Sequence, residues 1–149
     1  MDRNCGKLEK CVASASVRTR SEEIVALIGR VLIALFFLPA GLAKLFDFSG
    51  TVNEVAAGGL PLPVFCAAAT IALEIGGGLA LLLGYKTRVA ATLLMLFTVA
   101  ASVLYHPFWA ISGARRMQEV IMFAQNIAVA GGLLVLAGQG GGRLSIDKD

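Results

Sequence analysis

Charge is what this sequence most lacks. Only 15% of its 149 residues are Asp, Glu, Lys or Arg, 57% are apolar, and mean hydropathy is +0.78. A soluble globular domain carries about a quarter charged residues, so water is excluded as the main solvent of the folded chain. Histidine is almost missing as well: His106 stands alone, which rules out a haem held by two histidines of one chain. The three cysteines do not pair by spacing. Cys5 and Cys11 have five residues between them, neither a redox pair nor a zinc site, and Cys66 has no neighbour in sequence. No metal cluster follows from such a set, and nothing in the sequence announces a flavin or nicotinamide. The net charge of +3 is too small for a nucleic-acid-binding surface.

Long apolar runs are abundant instead. Residues 24–43, 63–83, 89–105 and 120–137 are each long enough, at about 1.5 Å per residue, to cross a hydrocarbon core of about 30 Å. They carry at most one formal charge apiece, Arg30 in the first and Glu74 in the second. Barrel strands would alternate polar and apolar residues, and these runs do not. The fold class expected is therefore all-α: a four-transmembrane-helix bundle over 24–137, with a flexible tail at 1–23 and a second tail at 138–149. Between the first two spans, KLFDFSGTVNEVAAGGLPLP predicts a short interfacial helix. Phe46, Phe48, Val52 and Val55 would face lipid, Asp47, Asn53 and Glu54 would face water, and Gly58, Gly59 and Pro61 would end it. The tight link GYKTR makes spans two and three antiparallel neighbours.

Basic residues set the expected orientation. Arg3, Lys7, Lys10, Arg18, Arg20, Lys86, Arg88, Arg143 and Lys148 fall on one side, against Lys44, Arg115 and Arg116 on the other, which predicts both termini in the cytoplasm.

Polar groups inside the spans are the candidates for function. A lone charge at mid-span costs about 2.5 to 3.5 kcal/mol on insertion scales, so Arg30, Glu74, Gln125 and Asn126 should face the bundle and find partners. Counting depth from the expected helix ends puts Arg30, Glu74 and Asn126 at comparable levels. That predicts an Arg30–Glu74 ion pair completed by Asn126 and Gln125. Such a layer either locks the helices in register or floors a ligand cavity. Arg30, Ala34, Phe37, Gly41 and Lys44 share one face of the first helix. At the opposite end, His106 offers a donor for a substrate carbonyl, with Trp109 as a stacking wall, or else the pair is an interfacial anchor. Gly76, Gly77, Gly78, Gly131 and Gly132 would let helix backbones approach closely.

GLAKLFDFSGTVNEVAAGGLPLP, ALEIGGGLALLLGYKTRVAATLL, HPFW and FAQNIAVAGGLLVLAGQGGGRLSID, taken in this order, resemble the DoxX family of small bacterial membrane proteins across about residues 30 to 147. The resemblance implies four helices around a polar centre, residence in the bacterial inner membrane, and a redox-associated role. Members are often described as oxidoreductases or linked to quinone and thiol stress. By position, Arg30, Lys44, Glu74, His106, Trp109 and Asn126 match the family's recurrent polar and aromatic residues. Gln125 stands where many members have lysine, and Pro107 where an acidic residue is common. What the resemblance implies is a bound quinone or similar apolar carbonyl compound, with no cofactor held by the chain itself and electrons drawn from a partner enzyme. The competing expectation is an accessory or assembly subunit, docked on a redox enzyme or on a second copy and having no chemistry of its own.

Overall fold

The computed structural model describes residues 20–147, all of whose regular structure is helical. Four helices are long and apolar enough to cross a membrane: α1 (Arg20–Phe46), α3 (Pro63–Leu83), α4 (Thr87–Tyr105) and α5 (Arg115–Gln139). A short helix, α2 (Phe48–Ala57), lies between the first two. Residues 1–19, where most of the expected tail falls, lie outside the described residues, but Arg20 to Glu23 already belong to α1. Glu22 and Glu23 occupy its first turn, where carboxylates favour the positive end of the helix dipole.

Helix ends follow local chemistry. Pro63 sits at the first position of α3, where its missing N–H costs nothing. Gly84, at φ +70°, ends α3, and a turn through Lys86 starts α4 at once. The Asp47 carboxylate caps α2 by accepting from the Gly50 N–H at 3.0 Å.

α1 packs chiefly against α3, and α4 against α5, with α3 and α4 joining the two pairs. The core is formed by Phe37, Leu81, Ala91, Leu94, Leu133 and Leu136, while Leu32, Leu35, Leu96 and Leu134 point outward, as a lipid-facing surface requires. Of the five glycines expected at helix contacts, two hold the tightest ones. A β-carbon on Gly77 would come within 2.8 Å of Leu94, and one on Gly78 within 2.9 Å of Leu38. Gly132 meets Ile33 at an ordinary 3.4 Å, and Gly76 and Gly131 face open surface. The closest approach of α1 to α3 is instead at Gly41, whose β-carbon would sit 2.8 Å from Ile75 Cγ1 and 3.2 Å from the Ile75 backbone nitrogen. Together with Gly78 against Leu38, this contact brings the two helices into close register.

The interfacial helix departs from expectation at Val55. That residue and Thr51, one turn apart, form the inward face, while Phe46 and Phe48 are exposed, as a lipid-facing edge requires. Hydrogen bonding explains the choice: the Thr51 hydroxyl reaches the Asp47 carbonyl at 2.9 Å and the Lys44 carbonyl at 3.2 Å, tying α2 to the end of α1. Thr51→Val keeps the shape and removes that bond. It is expected to cost about 1 kcal/mol in thermal or denaturant unfolding of the detergent-solubilised protein. An unchanged midpoint would show that α2 is held by packing alone.

The carboxyl-terminal segment is not free. From Gly140 to Asp147 the chain folds back across the turn between α3 and α4, where the Ile146 and Asp147 N–H groups donate to the Leu83 and Gly84 carbonyls at 3.2 and 3.3 Å. The Lys86 N–H donates to the Asp147 carboxylate, and Arg88 Nη1 donates to the Gly138 carbonyl at 2.6 Å. Residues 140–147 thus form a strap over one end of the bundle.

Candidate functional site

At the end of the bundle away from the strap, a cavity of about 440 Å³ lies between α1, α2, α3, α4 and the start of α5. Its walls are apolar and aromatic, with Phe36, Phe37, Phe97 and Tyr105 among them, and its polar groups are Lys44, Glu54, Glu74, His106, Glu119 and Asn126 with the hydroxyls of Thr51, Thr70 and Thr98. A volume of this size and character is typical of a small-molecule site.

Glu74 is on the inner face of α3, with its side chain 6% exposed, and it is salt-bridged to Lys44 rather than to Arg30. Lys44 Nζ donates to both carboxylate oxygens at 2.9 Å. The expected Arg30–Glu74 pair is thereby corrected, and the reason is axial. Gly41 lies against Glu74, since a β-carbon added to it would come within 3.0 Å of the Glu74 β-carbon, and Arg30 lies eleven residues earlier on the same helix, about 16 Å away at 1.5 Å per residue. Lys44, three residues beyond Gly41, is the cation within reach. The inward stripe of α1 is otherwise as expected: Arg30, Ala34, Phe37 and Gly41 are all buried.

Arg30 belongs to the other end. It is fully buried beside Gly84, its Nη2 donates to the Leu144 carbonyl of the strap, and its Nε and Nη1 have no hydrogen-bond partner among the described residues. The carbonyl-rich end of α3 compensates part of its charge. Arg30 is therefore a pin for the strap and takes no part in the cavity.

On α5 the inward positions are Asn126, Ala130 and Leu133, at i, i+4 and i+7. Asn126 lines the cavity, and Ala130 and Leu133 are buried. Gln125 is rotated about 100° from this stripe and is exposed, so the polar completion expected of it does not occur. His106 ends α4 and places Nδ1 2.9 Å from Glu119 Oε2, a contact between two half-buried side chains. Trp109 is 56% exposed and packs edge-on against Phe108 and Phe123 at 5.1 and 6.0 Å, outside the cavity lining. The stacking wall expected of it is therefore not part of this cavity.

Three contributors escaped the reading of the sequence. Glu119 is seven residues before Asn126 and so shares its face, a signal hidden because Glu119 was counted with the loop. Glu54 was assigned to water, and it is indeed exposed, but on the rim of the cavity. Tyr105, a helix-end aromatic, lines the mouth, where its ring meets Gly58. Among the described residues no group of three or more His, Cys, Asp or Glu has the geometry of a metal site. The Cys66 thiol lies 3.2 Å from the Pro61 carbonyl.

Chemically, the site offers hydrogen-bond donors and two acid–base pairs, Lys44–Glu74 and His106–Glu119, at one side of an aromatic-walled chamber. The DoxX family model matches residues 25–107, more than half of the chain. Inner membrane protein YphA of Escherichia coli is 32% identical over 125 residues, covering 84% of this chain and 89% of its own. Inner membrane protein YqjF of the same organism is 36% identical over 127 residues, with 85% and 92% covered. A yeast ER-derived vesicles protein from Saccharomyces cerevisiae is 32% identical over 79 residues, which is 53% of this chain and 26% of that one. No solved structure matches.

Proposed function

The chain belongs to the DoxX family and is a four-span inner-membrane protein, and from that premise we propose that it binds a quinone or a similar apolar carbonyl compound in the cavity beneath α2. The observation that carries this reading is the pairing of an aromatic wall with carbonyl-directed donors in one chamber. Phe36, Phe37 and Phe97 provide the surface on which a flat ring packs. Lys44 spends two of its three N–H donors on Glu74 and keeps one for a ligand oxygen. The Asn126 amide lines the same space. Placement beside the lipid phase suits a ligand that arrives through the membrane.

Reduction of a quinone consumes two electrons and two protons. The residues here hold and orient the ring and offer proton-bearing groups at Glu74, Lys44, His106 and Glu119. The electrons are assigned to a separate redox enzyme in the same membrane. With the basic excess of the strap and the α3–α4 turn on the cytoplasmic side, the cavity opens toward the outer half of the bilayer.

The test is purification from the native membrane in mild detergent, followed by extraction and mass spectrometry of bound lipophilic molecules. Near-stoichiometric quinone is the expected result. Titration with a short-chain benzoquinone should then give a dissociation constant about tenfold weaker for Asn126→Leu than for the parent protein, the worth of one hydrogen bond of about 1.4 kcal/mol. A preparation holding only phospholipid and a stoichiometric protein partner would replace this reading with that of an accessory subunit.

A further inference from the structure

We infer that the cavity selects its ligand by charge, admitting neutral and cationic carbonyl compounds and rejecting anionic ones, with Glu54 as the discriminating group. This rests on the quinone reading above and narrows its substrate class.

The lining holds three carboxylates against one ammonium and one imidazole. Two of the three are matched: Glu74 by Lys44 through both oxygens, and Glu119 by His106 at 2.9 Å. Glu54 has no basic partner among the described residues. Glu54 is therefore the one carboxylate of the lining that no basic group matches, and it gives the cavity its excess of negative charge. The basic residues at the same end do not cancel it. Arg116 directs Nε to the Phe108 carbonyl at 3.4 Å, Arg115 is exposed, and neither lines the cavity.

Position gives Glu54 its leverage. It precedes Val55, which is buried, and follows Thr51, whose hydroxyl is bonded to the end of α1, so the backbone carrying Glu54 is fixed at the rim. A ligand entering past α2 meets this carboxylate before it reaches Lys44. The walls behind it are apolar, and there a charge is felt more strongly than in open water. Tyr105 and Phe36 add ring faces that favour a cation and do nothing for an anion.

The experiment uses the full chain in an uncharged maltoside detergent and three ligands built on one benzoquinone ring: unsubstituted at the tail, trimethylammonium-tailed and sulfonate-tailed. Binding is measured for the parent protein and for Glu54→Gln. The sulfonate is expected to bind about tenfold more weakly than the neutral ring, and the trimethylammonium compound at least as tightly as it. Glu54→Gln should bring the three affinities within about twofold of one another. Equal binding of sulfonate and neutral ring by the parent protein, or a gap that persists in Glu54→Gln, overturns the charge selection and leaves the quinone reading standing. Failure of all three compounds to bind overturns the quinone reading itself and this inference with it.

Discussion

Lys44→Met is expected to destabilise the protein by about 3 kcal/mol, more than Glu74→Gln, which should cost about 1 to 2 kcal/mol, although both break the same ion pair. The asymmetry comes from burial. The Glu74 side chain is 6% exposed and the Lys44 side chain 31%. Removing the cation strands a carboxylate with almost no access to water, whereas removing the negative charge leaves an ammonium that can turn toward solvent. The Lys44→Met/Glu74→Gln double variant removes the stranded charge along with its partner. Its loss should therefore be smaller than the sum of the singles, with a coupling of about 2 kcal/mol. Unfolding midpoints in one detergent, measured for all four proteins, check this directly. Additive single losses would mean that the two groups do not depend on each other. The same variants test the site, because both singles remove or misplace the donor aimed at a ligand carbonyl. Quinone affinity should fall in each, even at temperatures where the variant is fully folded.

How much of this was legible in the sequence depends on the length scale of the signal. The spans were legible because a run of about twenty apolar residues is a long, redundant pattern. The observed helices contain the expected spans, extending beyond them mainly at polar flanks such as Arg20 to Glu23 and Arg115 to Glu119. The inward stripe of α1 was legible for the same reason, since five positions agreed on one face. Partner choice was not. Whether Glu74 meets Arg30 or Lys44 depends on the relative slide of two helices, which close on each other at Gly41 against Ile75 and at Gly78 against Leu38. Counting depth from span ends carries an uncertainty of a turn at each end, enough to exchange one cation for another. The strap was missed on different grounds. GQGGGRLSID has the composition of a tail, and its order comes from backbone bonds to Leu83 and Gly84 and from a buried arginine far away in sequence. The side-chain direction of Gln125 against Asn126 was recoverable, because Ala130 and Leu133 mark the inward face of α5. A closer reading of that stripe would also have brought in Glu119.

The assignment of Arg30 to the strap rather than to the cavity makes the other large prediction. Arg30→Ala removes the bond to the Leu144 carbonyl and empties the space of a fully buried side chain. It is expected to cost about 3 kcal/mol and to expose residues 140–147 to protease. Gly84→Val should be at least as damaging. The backbone there is at φ +70°, and an added β-carbon would fall on Arg30 and on Ser145. A left-handed conformation alone costs a β-branched residue about 1 to 2 kcal/mol, before any steric displacement of the strap. The discriminating readout is ligand binding. The Arg30 backbone is about 16 Å along α1 from Gly41 by helical rise, so folded Arg30→Ala protein should keep its quinone affinity to within about twofold. Protease sensitivity at the carboxyl end with intact binding would fit a pin for the strap. Lost binding at an unchanged unfolding midpoint would return Arg30 to the ligand site, and the partition of Arg30 and Lys44 between the two ends of the bundle would be wrong.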